Sequence, residues 1–434
     1  MRLAILGNCL LSRHLVRLIN EEHDYVHVFL WTLSPTSAPE FDSVLPMHRF
    51  TGFPELHRAI AAVDIVVNLH EFQDFSMWPN KEMLNKHNVE FVRNVIYNIR
   101  CPLIHISSPL VQCSVRWPNV HEPEKTAECY RSQWPFPEYC KSKHEAEQLV
   151  ETSDIDAFIL RCVPCYGEGD DCSLLTDIIK YDKNSVLNIG DGDGVSQMAY
   201  AGNVASAIWL ACCKILATST SLDLNVTYSE AELSDLTNDS SMRFDSHYSQ
   251  MDSIREEVNV FGRQRLSTVI EEPSEEVGLQ AEEVTTATEI VHEESAFNIT
   301  TNATEKVFET FLINDNTAKG HVCDVFKQLL ETENRKIRVP VSTHLVYWCF
   351  YLLTIFVNLL SYFLPDLQWP QSLPCPAFFT MHFHQWTFFN SHKCEILLDA
   401  SPIYDQQESF ERCQAYYNSL TPEDIPRYSF EAHV

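Results

Sequence analysis

Short apolar runs recur through the first 210 residues, and segments of helical spacing lie between them. Asp64-Ile65-Val66-Val67-Asn68-Leu69 is apolar nearly throughout, the mark of a strand covered on both faces in a parallel sheet. Arg2–Leu6, Tyr25–Trp31, Pro102–Ile106 and Ala157–Arg161 read as further strands. Between them, Leu10–Ile19 places Leu11, Leu15, Val16 and Ile19 on one side of a helix, and Asn88–Ile96 is a second helical stretch. Strands alternating with helices predict an α/β fold, a doubly wound parallel sheet. With 434 residues, 45% of them hydrophobic, the chain can bury a large core and has room for two or three domains.

Strand, tight turn, helix, strand is also how a dinucleotide-binding fold opens. A turn that holds phosphates uses glycines for close backbone approach and a helix N-terminus for the charge. Here the turn is Leu6-Gly7-Asn8-Cys9-Leu10-Leu11-Ser12, with one glycine, and Leu30-Trp31-Thr32 ends without an acidic residue for a ribose hydroxyl. Alone, this stretch reads equally as a plain βα unit. The strand Pro102–Ile106 runs into Ser107-Ser108-Pro109, where hydroxyls at a carboxyl end face the ligand crevice or simply form a Ser-Pro turn. Tyr139 and Lys143 stand four apart, one helical turn on one face. An ammonium beside a phenol favours the phenolate and fits the tyrosine for acid–base work.

The formal net charge of −29 argues against a nucleic-acid partner. About half of it lies between Ser221 and Glu305, where 19 Asp/Glu face 4 Lys/Arg, a net of −15. That composition reads as a mostly disordered acidic insertion. The 15 cysteines are scattered with no paired Cys/His spacing suited to zinc, which fits reduced thiols in a cytosol-facing protein. The N-terminus runs straight into a strand without a secretory signal shape. Thr343–Leu364 contains no Asp, Glu, Lys or Arg and is long enough to cross a bilayer or lie in one leaflet. Arg335-Lys336-Ile337-Arg338 just before it favours a cytosolic position for that end.

Together these segments resemble the extended short-chain dehydrogenases/reductases, and within them the 3β-hydroxysteroid dehydrogenase/Δ5-Δ4 isomerase group. Tyr139-Cys140-Lys141-Ser142-Lys143 is similar to the group's Tyr-x-x-Ser-Lys helix, and Ile104–Ser108 to the strand that ends in its active-site serine. Leu160-Arg161 with Tyr166-Gly167-Glu168-Gly169, then Tyr200-Ala201-Gly202-Asn203-Val204-Ala205, resemble two later signatures. Phe311–Thr317 resembles the strand that follows, so the acidic stretch is an insertion between them.

The resemblance implies a Rossmann-like dinucleotide-binding domain over 1–215, the acidic insertion over 216–306, and a smaller C-terminal substrate region over 307–434 that includes the hydrophobic segment 343–364. It implies catalytic roles for Tyr139, Lys143 and Ser108, with Ser107 as the fallback for the serine. NAD or NADP would be held by Gly7, Cys9, Ser12, Asn68, Lys143, Cys162 and Val163. The substrate would be a 3β-hydroxysteroid or sterol, oxidised with or without isomerisation, by a homodimeric enzyme on the endoplasmic reticulum membrane with its catalytic domain facing the cytosol. Aligned without gaps, the group's three turn glycines fall at Leu6, Cys9 and Ser12. This departure carries a second reading, a scaffold that has lost nucleotide binding and holds a lipid or a protein. A third, a sugar-nucleotide epimerase or reductase, runs against the Tyr200–Ala205 signature and the hydrophobic segment.

Overall fold

Seven parallel strands, β1 (Arg2–Leu6), β2 (His27–Trp31), β3 (His48–Phe50), β4 (Ile65–Asn68), β5 (Leu103–Ser107), β6 (Ala157–Cys162) and β7 (Phe308–Ile313), build the main sheet of the computed structural model, in the order β7-β6-β5-β4-β1-β2-β3. Alternation within each strand decides which face covers which side. Leu3, Ile5, Ile65, Val67, Ile104, Phe158 and Leu160 pack on one face; Ala4, Leu6, Val66, Leu103, Ala157 and Ile159 pack on the other. Both faces are buried, which is why these strands read as continuous apolar runs. The structure describes residues 1–23, 25–32, 48–50, 56–57, 60–116, 118–124, 133–171, 173–179, 184–190, 192, 194–226, 306–333, 335–363 and 373–421.

Helices α1 (Leu10–Glu22), α2 (Phe91–Asn98), α3 (Pro137–Glu151) and α4 (Ala201–Val226) connect and cover the strands. α1 and α4 lie on the first face and α2 and α3 on the second, so the sheet is doubly wound, as expected. α4 runs on to Val226, since residues 214–226 contain neither glycine nor proline to stop it. After β7 come two short helices, Val322–Val325 and Lys327–Leu330.

Met1–Leu222 and Glu305–Val434 group as one unit, apart from Asp223–Thr304. Of the acidic insertion expected over 216–306, residues 227–305 lie outside the described residues. The strands flanking that stretch still pair: β7 runs beside β6 with Phe311 opposite Leu160. The Asp315 carboxylate then accepts hydrogen bonds from the Tyr200 backbone N–H (2.8 Å) and Asn203 Nδ2 (3.0 Å), tying the start of α4 to the end of β7.

In the C-terminal region, α5 (Thr343–Phe363) packs beside α6 (Pro376–Phe383), and α7 (Gln406–Ser419) closes the second apolar cluster around Tyr166, Phe326 and Phe410. Among the described residues, two helical stretches are long and apolar enough to cross a membrane, Ala201–Ser219 and Thr343–Leu360. The first is mostly buried core. The second exposes Leu345, Trp348, Leu352, Phe356, Leu359 and Tyr362 along one side.

Candidate active site

The start of α3 is set by Pro137 in its first turn, with Glu138 beside the N-terminal end of the dipole. From there the spacing turns Tyr139, Ser142, Lys143, Ala146, Glu147 and Val150 toward the sheet, and all are buried. Lys143 retains 1% of its exposure, and its Nζ donates to the carbonyl oxygen of Ile106 on β5 at 2.9 Å. The same face anchors the helix through a buried bidentate pair: Arg161 of β6 donates to both oxygens of Glu147, at 2.9 and 2.7 Å, and to Gln112 Oε1 at 2.7 Å.

Ser108 follows β5 and caps a short turn over Pro109–Gln112, its hydroxyl accepting from the Leu110 N–H at 3.3 Å. The same side chain faces the Tyr139 hydroxyl and favours its ionised form. The Ser107 hydroxyl is buried without a hydrogen-bond partner among the described residues. Both serines and Tyr139 line one cavity of about 300 Å³, the lower end of the roughly 300–1,000 Å³ typical of ligand sites. Gly7, Asn8 and Cys9 border it at the turn, Cys162 and Val163 border it after β6, and Ile178, Ile189, Phe378, Phe379 and Phe383 form an apolar wall. Lys143, Ser12 and Asn68 are buried outside its lining. Asn68 instead links His105 Nδ1 (3.1 Å) with the His70 backbone N–H (3.1 Å).

The residue that sequence reasoning missed is Glu71. It lies just past β4, at the point where crossovers leave the sheet in opposite directions and ligands bind in open α/β folds. Its Oε2 accepts from Lys143 Nζ at 2.7 Å, and its Oε1 from the Tyr139 hydroxyl at 3.4 Å. Burial alone would raise the Glu71 carboxyl, but the Lys143 ammonium and the hydrogen bonds from Lys143, Gln73 and Tyr139 together outweigh it and hold it below the usual range. Tyr139 moves the other way. Burial and then the Glu71 carboxylate push its phenol well above the ordinary value, opposed by the Ser108 side chain. The lowered phenol expected from the Tyr139–Lys143 spacing is therefore not what this arrangement produces, because burial and then the Glu71 carboxylate both disfavour the phenolate. The available signal was a charged residue in the otherwise apolar and histidine-flanked run Leu69-His70-Glu71-Phe72 at a strand's carboxyl end.

At the turn, Gly7 has φ +110° and donates its N–H to the Trp31 carbonyl at 2.9 Å. A Cβ there would stand 2.8 Å from the backbone nitrogen of His70, so the residue one place off the expected glycine position is the one that requires glycine. Cys9 caps α1, and its N–H donates to the Ser12 hydroxyl at 2.9 Å, which donates back to the Cys9 carbonyl at 2.8 Å. The Cys9 thiol takes hydrogen bonds from the Ser12 and Leu11 amides and is raised by burial. Donors that could meet a pyrophosphate are thus shared with the chain's own cap. Cys162 and Cys165 form a Cys-x-x-Cys spacing overlooked in the sequence. Burial raises both thiols well above the ordinary value, so they are poor nucleophiles and ligands. Among the described residues, no group of three or more His, Cys, Asp or Glu could hold a metal.

The sequence profile of the 3-beta hydroxysteroid dehydrogenase/isomerase family matches residues 8–229. No curated protein matches the chain. Among solved structures, UDP-glucuronic acid 4-epimerase from Bacillus cereus, which holds UDP-glucuronic acid and NAD, is 13% identical with a TM-score of 0.53, over 96% of this chain and 99% of that one. The dTDP-glucose 4,6-dehydratase from Bacillus anthracis, in complex with NAD, is 11% identical with a TM-score of 0.51, over 96% of each chain. At such identities the likeness is one of fold.

Proposed function

Because the chain belongs to the 3-beta hydroxysteroid dehydrogenase/isomerase family, we propose that it is a nicotinamide-dependent dehydrogenase of an apolar secondary alcohol, a 3β-hydroxysteroid or sterol. The observation that carries the reading is the convergence of Tyr139, Ser108 and the apolar wall of Ile178, Ile189, Phe378, Phe379 and Phe383 on one cavity. Glu71, Asp74, Asp170, Asp171 and Asp177 also line it, and no Lys or Arg does among the described residues. That wall suits an uncharged substrate and repels an anionic one.

The nicotinamide dinucleotide, when bound, supplies the hydride acceptor. Gly7 and Cys9 at the turn and Cys162 and Val163 after β6 line the part of the cavity that would hold it, with the α1 N-terminus as the end that would meet its phosphates. Ser108 orients the substrate oxygen, and Tyr139 takes its proton on oxidation or returns it to the carbonyl. With Glu71 in place, Tyr139 is a neutral phenol, the form that donates. Accepting a proton requires the Lys143 field to reach the phenol unopposed.

Membrane association belongs to the same reading. The exposed apolar side of α5 would lie in lipid, while its Phe350 packs on Phe379 of the cavity wall with ring centroids 4.7 Å apart. An apolar substrate would then be delivered beside the site.

Titration of the purified protein with NADH and NADPH, followed by fluorescence, tests the reading. Absence of binding for both at millimolar concentration refutes it and favours the second reading, a scaffold without nucleotide binding, which the self-capped turn at Cys9 and Ser12 supports. Where cofactor binds, Tyr139→Phe is expected to lower turnover of a 3β-hydroxysteroid by about 10²–10⁴-fold with cofactor binding retained. Undiminished turnover would show that the base is another group.

A further inference from the structure

Lys143 is buried, and one of its partners is a carboxylate that also reaches Tyr139. In a Tyr/Lys site the ammonium has two tasks, to favour the phenolate and to meet the cofactor ribose; here its nearest partner is Glu71, at 2.7 Å. Glu71 is not sealed away. It lines the cavity and keeps 19% of its side-chain exposure, while Lys143 keeps 1%. The carboxylate thus stands between the ammonium and whatever occupies the cavity. Gln73 also donates to Glu71 Oε1, so the carboxylate is held from three sides.

We propose that Glu71 is an internal counter-ion that quenches the site: bridging Lys143 and Tyr139, it competes with the cofactor for the lysine and must swing toward the cavity mouth for the dinucleotide to bind and for Tyr139 to act as a base. The inference rests on the dehydrogenase reading for the identity of the competitor, but the charge coupling within the triad is independent of it. Ionising the phenol would place a second anion beside the carboxylate, and like charges at such range disfavour it. The raised phenol of Tyr139 and the depressed carboxyl of Glu71 agree with that geometry. The other groups bearing on the triad are Ser108 and Cys140 at the tyrosine, His70 and His105 at the lysine, Cys162 at the lysine and the carboxylate, and Cys9 at the carboxylate; burial keeps both imidazoles neutral and raises the Cys9, Cys140 and Cys162 thiols. No other carboxylate bonds to Lys143 or Tyr139 among the described residues, so one substitution isolates the effect.

The test compares wild type with Glu71→Gln, which keeps the shape and removes the charge. Two quantities are read on the full chain: NADH affinity by fluorescence titration, and the tyrosinate transition by ultraviolet difference absorbance, assigned to Tyr139 by its loss in Tyr139→Phe backgrounds. Glu71→Gln is expected to bind NADH about tenfold tighter or more, and its Tyr139 transition to fall by about one pH unit or more. Should the Gln variant not fold with an unpaired buried ammonium, Glu71→Asp keeps the ion pair but is one methylene too short to bridge, and its Tyr139 transition must still fall. A transition that does not move, or NADH binding that weakens in the Gln variant, overturns the proposal. If the transition falls while neither protein binds NADH, the counter-ion role stands and the dehydrogenase reading fails. If both proteins bind NADH equally and the transition stays, the counter-ion role fails and the dehydrogenase reading stands.

Discussion

Replacing Gly7 with alanine loads the junction on which the cavity depends. Gly7 sits between β1 and α1 at φ +110°, a backbone that L side chains rarely adopt. Holding alanine there costs about 1–3 kcal/mol. The added Cβ would also lie 2.8 Å from His70 N, 2.9 Å from His70 Cα and 3.0 Å from the Leu69 carbonyl carbon. All three are backbone atoms at the end of β4, so no side chain can rotate away, and overpacking of this kind costs about 1–3 kcal/mol more. The total, about 2–6 kcal/mol, is a large share of a typical domain's roughly 5–15 kcal/mol. Gly192 supplies the control: it has φ +84°, and no atom of the described residues lies within 4 Å of where its Cβ would stand. Gly192→Ala should cost only the backbone part. Urea unfolding followed by tryptophan fluorescence measures both. If Gly7→Ala loses no more stability than Gly192→Ala, the close approach of β4 to the turn is not real and the cavity geometry built on it fails.

Glu147→Ala leaves the buried Arg161 guanidinium without its bidentate partner; a loss of about 3–5 kcal/mol is expected in the same unfolding assay, and a change under about 1 kcal/mol, the worth of an exposed pair, would show that the pair is solvated. Acid should destabilise the protein through His14, His70 and His105, whose buried imidazoles are held down to about 4, about 3 and well below the ordinary value respectively. Their folded values lie below the unfolded value of about 6.5, so their neutral forms cost nothing above that pH. As pH falls from about 6.5 toward 4 these three sites come to bind up to three more protons in the unfolded chain, removing up to about 4 kcal/mol per pH unit together. A urea midpoint that stays flat from neutral pH to the acid side of this window would contradict their burial. Leu352→Lys with Phe356→Lys puts two charges on the exposed side of α5, each opposing insertion by up to about 2.5–3.5 kcal/mol; the chain should shift from carbonate-washed membranes to the soluble fraction, and an unchanged distribution would remove α5 as the anchor.

Local pattern carried much of the fold. Both faces of the sheet are buried, so Ile65–Val67, Leu103–Ile106 and Ala157–Leu160 had to be apolar at nearly every position, and apolar runs of that length between helical periods are readable without tertiary knowledge. The same holds for Tyr139 and Lys143. Their common face follows from a four-residue spacing on one helix, while packing against the sheet decided that this face is buried. The exposed side of α5 was equally visible as an uncharged run, although only packing against α6 decided which side stays outside.

What the residues could not announce by themselves is who stands opposite them. Glu71 reaches Tyr139 and Lys143 only because β4 and β5 are neighbours in the sheet and their carboxyl ends open on the same crevice. Glu71 and Lys143 are far apart along the chain, and no local period encodes their meeting. Gly7 is glycine for a like reason: His70 backbone fills the space where a Cβ would go. Ser12 and Cys9 satisfy each other across the first turn of α1, a choice made by rotamers rather than by spacing. The sequence alone therefore determined that Tyr139 and Lys143 share one face of a helix. The tertiary structure decided which charges meet them, because electrostatic coupling depends on distance through space.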